Sequence, residues 1–307
     1  MSGVLAGFSI VWVVIGIGYL IGRSGVLGPS AQQVLSRTVF FVGTPALMLV
    51  TFGRTDLHQV FSVQLLAAAA SAGIVLTLYL VWSRVLLRRT WPTAIMTGAT
   101  GSLVNAANLG IPIAVYVLGD AAVAAPIIVF QMTLLTPLVT AALDVATARR
   151  GTSAVRRIGQ VAANPVLIAS VVGILLSVTG IRLPDLVLEP FRLISGIAVP
   201  GMLLAFGIGL HGSRPLRDRT QWVDVASATT AKVVIQPLIA LALGALVLGL
   251  SGRALFAVVV MAALPTAQNA YVVASRYGAA VGQTKDTVLV TTVLSVPVLV
   301  LVAALLA

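Results

Sequence analysis

Asn105, Asn108, Gly110 and Pro112 fall within eight residues of the stretch SLVNAANLGIPIAVY (102–116), inside an otherwise apolar run. A second run, LPTAQNAYVV (264–273), places Pro265, Gln268 and Asn269 at its centre. Proline has no N–H to donate and its ring clashes with the carbonyl four residues back, so both runs should interrupt a helix. Gly110 adds backbone freedom, and the amides can satisfy the groups that a break releases. In hydrocarbon each unsatisfied backbone group costs several kcal/mol, so a break survives only inside protein or beside water. A half-helix beginning there aims free N–H groups and a partial positive charge at the gap, and its predecessor ends in free carbonyls. Two such breaks crossing would hold a carboxylate without an arginine and shelter a cation without an aspartate. Either run alone could be an ordinary proline kink. The pair, each with amide side chains, points to a binding site.

Lys232 is the second chemical oddity. Counting about 1.5 Å per residue from Trp222 puts it about 15 Å deep, near the middle of a bilayer. Thr229, Lys232 and Gln236 share one helical face, expected to be turned from lipid. A charge at that depth costs at least ~2.5–3.5 kcal/mol, and a lysine stem is too short to reach the interface. The competing explanation is a shifted span boundary.

Other chemistry is poorly supplied. The absence of cysteine excludes disulfides, thiolate catalysis and sulfur-ligated metals. The two histidines, His58 and His211, fall near span ends and read as solvated surface. No HExxH occurs, and the eight acidic residues lie mostly in loops, with Asp144 and Asp224 read as interfacial. Nothing supplies a nucleophile with its base, so no catalytic residue, metal site or cofactor is expected. No ring of charges suggests a channel filter.

The elements that must position these residues follow from composition. Of 307 residues, 59% are hydrophobic and 9% charged, and mean hydropathy is +1.09. Soluble domains carry roughly 25% charged residues. Apolar runs of bilayer length predict an all-α polytopic membrane protein with ten transmembrane helices, near 4–22, 34–52, 61–83, 93–117, 122–145, 162–180, 189–210, 222–249, 254–275 and 286–306. The first run lacks a basic flank and a cleavage site, and reads as a span. Trp82, Trp91 and Trp222 read as interfacial anchors, whereas Trp12 sits deeper.

GYLIGRSGVLGP (18–29) aligns with GILLSVTGIRLP (173–184) at an offset of 155, which also pairs Pro45 with Pro200 and takes Gly110 onto Pro265. Pro137 and Pro297 correspond at 160. Two five-helix repeats follow, 1–150 and 151–307, and the odd span number inverts the second within one integrated membrane domain. The fourth and ninth helices would then be broken and cross at mid-membrane. Fourteen Lys and Arg residues fall in the loops after odd-numbered spans and four in the others, so both termini are expected outside the cytoplasm. The net charge of +11 is therefore a topology signal, not a nucleic-acid footprint. The Arg149–Arg157 run could touch anionic lipid headgroups.

NAANLGIPIAVYVLGD (105–120) resembles the fourth-helix signature of the auxin efflux carrier family, and LPTAQNAYVVASRYG (264–278) resembles its more specific ninth-helix signature. The resemblance covers the whole chain. It implies a crossover-helix fold shared with bile-acid sodium symporters and sodium–proton antiporters, in a bacterial cytoplasmic membrane. It also implies transport of small organic anions such as malate or malonate, with membrane lipids as neighbours and a homodimer as an admissible assembly. Carried over by residue, the site falls on Asn105, Gly110, Pro112, Pro265, Gln268 and Asn269. Ala107 and Asn108 stand where relatives often have a glycine and an aromatic, so Asn108 joins the candidate site and leaves substrate identity open. By analogy with crossover antiporters, Lys232 would hold a fixed positive charge where a sodium-coupled relative binds its ion. A carboxylate-based sodium–proton antiporter is disfavoured because neither break contains an Asp or Glu. The alternative is a sodium-coupled organic-anion symporter, since carbonyls and amides can coordinate sodium.

Overall fold

The computed structural model describes residues 2–53, 63–147, 159, 163–181, 183–211, 216 and 218–306. His58, Arg54, Arg182, Arg214, Arg217 and the basic residues at 149, 150, 156 and 157 lie outside the described residues. Twelve helices are named here: α1 (Ser2–Ser24), α2 (Ala31–Phe52), α3 (Val63–Leu86), α4 (Trp91–Ser102), α5 (Ala106–Tyr116), α6 (Ala121–Ala146), α7 (Pro165–Thr179), α8 (Asp185–Leu210), α9 (Arg219–Val247), α10 (Gly252–Ala262), α11 (Gln268–Tyr277) and α12 (Val281–Leu306). Among the described residues there is no strand, only one isolated bridge between Val104 and Thr266. Six helices (α2, α3, α6, α8, α9 and α12) are long and apolar enough to cross a bilayer. The runs expected as fourth and ninth spans each appear as a pair of shorter helices, α4 with α5 and α10 with α11. The protein is a multi-pass helical membrane protein.

Four prolines explain much of the local geometry. Pro45, Pro112, Pro137 and Pro237 each follow a five-residue π turn by two positions: Val39–Gly43, Ala106–Gly110, Gln131–Leu135 and Ala231–Ile235. The carbonyl each proline would strike lies inside that turn. A turn with i→i−5 bonds makes room for the ring and removes the need for the missing N–H. Pro112 therefore does not break its helix. It sits inside α5 together with Gly110, and the true break lies upstream at Leu103–Asn105. Gly110 serves packing: a Cβ there would approach Leu264 Cδ1 and Met261 Cε to 3.0 Å.

The helices pack as two groups. In the first, α1 lies against α8 at backbone distance, because Gly18, Gly22 and Gly207 remove the side chains between them. A Cβ on Gly207 would stand 2.1 Å from the Ile15 carbonyl oxygen. α2 packs on α7 and α8 in the same group, with Gly173 against Phe52. In the second group α3, α4, α6 and α9 to α12 enclose the two breaks. α5 lies between the groups, its Ile111, Ile113 and Ala114 sharing one buried core with Val11, Ile15, Leu203 and Phe206. Trp82, Trp91 and Trp222 are exposed, and Arg84 and Arg219 lie over the Trp91 and Trp222 rings.

Candidate transport site

The first break begins where Leu103 turns extended after Ser102 (φ −71°, ψ 121°). The second follows Ala262, and Pro265 sets it, since the residue before a proline is pushed out of helical conformation. Their extended residues pair antiparallel. Asn105 N donates to Pro265 O at 2.8 Å, and Ala267 N donates to Leu103 O at 3.0 Å.

Neighbouring helices satisfy further groups of the two breaks. Gln131 of α6 accepts from Val104 N at 2.8 Å and donates through Nε2 to Val104 O at 3.1 Å. Thr291 of α12 accepts from Thr266 N at 3.1 Å, while the Thr266 hydroxyl donates to Thr100 O at 2.8 Å. The sequence reading missed Gln131, Thr266 and Thr291. One signal was present: Gln131 and Thr291 are separated by the same 160 residues as Pro137 and Pro297.

The carboxyl ends of α4 and α10 are both met by α9. Lys232, fully buried, donates from Nζ to Ala262 O at 2.8 Å and to Gln236 Oε1 at 2.5 Å. Gln236 in turn donates through Nε2 to Ser102 O at 3.0 Å. One lysine–glutamine pair thus caps both interrupted helices. Thr229 shares the buried face, but its hydroxyl has no hydrogen-bond partner among the described residues.

The amino ends are treated differently. Asn105, 2% exposed, caps α5 by accepting from Asn108 N at 3.3 Å, and its own Nδ2 is buried with no hydrogen-bond partner among the described residues. α11 begins at Gln268 with no side-chain cap. Asn108 Nδ2 donates to Gln268 Oε1 at 3.2 Å, and the two residues line a narrow cavity between α2, α5, α6, α7, α8 and α11. Its free space is about 30 Å3, roughly one water molecule's share of the liquid.

Not every expected residue joins this cluster. Asn269 is exposed and has no hydrogen bond to Asn105, Asn108 or Gln268. Lys232 caps Ala262 and does not line the cavity. Asp224 is buried and held bidentately by Arg89, at 3.1 and 2.7 Å. Asp144 is also buried and accepts from the Tyr277 hydroxyl at 2.7 Å. His211 is exposed at the end of α8, edge-on to Tyr19.

Residues 8–150 and 158–303 match a family described as Membrane transport protein. The chain belongs to this family, the auxin efflux carriers. A relative from Rhizobium meliloti (strain 1021), named "Putative malonate transporter", is 25% identical over 290 residues, covering 91% of this chain and 88% of the relative. As an auxin efflux carrier family member the protein is a membrane transporter. In family terms the fourth-helix signature begins at Asn105, the last residue of the first break, and covers all of α5, and the ninth-helix signature spans most of the second break and all of α11.

Proposed function

We propose that the protein is a secondary active transporter that carries a small organic anion across the cytoplasmic membrane by alternating access at the two breaks. In this reading ten transmembrane helices form two inverted five-helix repeats, 1–150 and 151–307, with both termini outside the cytoplasm. The common 160-residue spacing of Gln131 with Thr291 and of Pro137 with Pro297 supports the repeat. The name of the relative from Rhizobium meliloti, "Putative malonate transporter", makes a short carboxylate the first substrate to try.

The observation that carries the reading is the unequal treatment of helix ends. Both carboxyl ends, at Ser102 and Ala262, are occupied by donors from Gln236 and Lys232. Of the amino-terminal turns, that of α5 is capped by Asn105 and that of α11 has no side-chain cap, and both reach a cavity through Asn108 and Gln268. A site with both carboxyl ends capped and the amino end of α11 left without a side-chain cap favours an anion. The same caps occupy carbonyls that a sodium ion would need, which argues against the sodium-coupled alternative.

Purified protein in proteoliposomes should take up labelled malonate or a related short carboxylate at the same rate whether sodium or potassium is the cation. Uptake driven by a sodium gradient would replace this reading with the symporter. Lack of saturable uptake for every short carboxylate tried would remove the anion assignment.

A further inference from the structure

Besides Asn108 and Gln268, two hydroxyl residues line the cavity: Ser36, which is exposed, and Thr44, which is buried. Thr44 of α2 is 2% exposed and lies on the cavity wall, and its Oγ1 has no hydrogen-bond partner among the described residues. Several threonines in other helices bond back to a carbonyl four residues earlier, as Thr77, Thr100 and Thr133 do, whereas the hydroxyls of Thr136, Thr229 and Thr287 have no hydrogen-bond partner among the described residues. Thr44 follows the π turn Val39–Gly43, whose wider register displaces the carbonyl such a bond would use. A buried hydroxyl left without a partner is unfavourable unless something else completes it.

The rest of the wall defines what that could be. Phe40, Ile128, Met132, Met202 and Phe206 make it mainly apolar, and no charged side chain lines it. Lys232 is committed to Ala262 O and Gln236. We infer that Thr44 is a specificity residue that reads the far end of the substrate. The substrate class is a short carboxylic monoanion whose far end is an uncharged hydrogen-bonding group, such as a hydroxyl, an amide or a protonated carboxyl. The inference rests on the crossover being the transport site. There the carboxylate meets Asn108, Gln268 and the amino-terminal turn of α11. A second ionised carboxylate would lie against mainly apolar side chains and the hydroxyls of Thr44 and Ser36, and two hydroxyls do not replace its hydration. Because the free space now holds only about one water, α2 and α8 must move apart from α5 and α11 to admit the substrate. The Thr44 contact then forms as they close again.

Malonate and malonamate test this directly, since they match in size and differ by one charge. At pH 8, where malonate is a dianion, malonamate should compete more strongly for binding to the purified full-length protein. Thr44→Val should weaken malonamate roughly three- to tenfold, the value of one neutral hydrogen bond, and leave propionate unchanged. Thr44→Ser should restore malonamate binding, which separates a lost hydroxyl from a folding defect. Stronger competition by malonate, or an unchanged malonamate-to-propionate ratio in Thr44→Val, would overturn the inference. Asn108→Leu distinguishes the two levels. Loss of all binding in Asn108→Leu beside an unchanged ratio in Thr44→Val removes only the Thr44 assignment. Wild-type binding by Asn108→Leu removes the cavity as the site, and the Thr44 assignment with it.

Discussion

The depth of Lys232 along its helix could be counted from the sequence, and the structure places its side chain fully buried among the helices. Its partners could not be counted, because Ala262 and Ser102 become carboxyl ends only once the helices containing them stop. Lys232→Gln should leave the protein folded but lower anion affinity roughly tenfold, by weakening a cap worth about 1.5–3 kcal/mol when the donor is charged. Titration of wild type and variant with the same carboxylate, read by thermal shift, checks this. Unchanged affinity would confine Lys232 to a structural role. The asparagines separate in the same way. Asn105 is buried, caps α5 and retains an unused donor, whereas Asn269 is exposed. Asn105→Ala is expected to slow transport ten- to a hundredfold, and Asn269→Ala to cost less. Initial rates of both variants decide the order. Nothing in residue type distinguishes the two asparagines; only the direction each helix face takes does so.

At the scale of elements, proline marked the interruptions but misplaced one of them. Pro265 lies at its break, whereas Pro112, seven residues beyond Asn105, is absorbed by the π turn Ala106–Gly110. The misplacement has a physical cause. A helix can accommodate a proline by widening one turn, but it can leave helical geometry in hydrocarbon only where another element supplies partners. For Val104 that element is α6, through Gln131, and the local sequence near Val104 carries no trace of it. Gln131→Leu should therefore strip both polar groups of Val104, at about 1–3 kcal/mol each, and lower the melting temperature more than Gln131→Glu. Glycine packing makes a parallel test. Gly207→Val drives a side chain into the Ile15 carbonyl and should destabilise the α1–α8 contact, while Gly16→Val meets nothing within 4 Å. Equal melting temperatures for the two valine variants would mean that this contact contributes little.

At the scale of the molecule, composition and apolar run length made the helical membrane class legible, because the bilayer permits few alternatives. The side of each loop is a separate matter, and the arginine bias addresses it. The chain has no cysteine of its own, so single cysteines at Ser2 and Asp120 should react with an impermeant maleimide from outside, and one at Ser153 should not. Labelling of Ser153 in intact cells would reverse the proposed orientation. The bridge between Val104 and Thr266 also bears on how the protein is made. Its two sides are far apart in the chain, so a growing polypeptide holds Leu103 O and Asn105 N for a long interval before Pro265 and Ala267 arrive. During that interval the nascent first break has groups whose exposure to lipid costs several kcal/mol each. It must wait in contact with water, with the insertion machinery, or with a temporary partner. A ribosome stalled before Pro265 would thus leave an unsatisfied edge for membrane quality control to recognise.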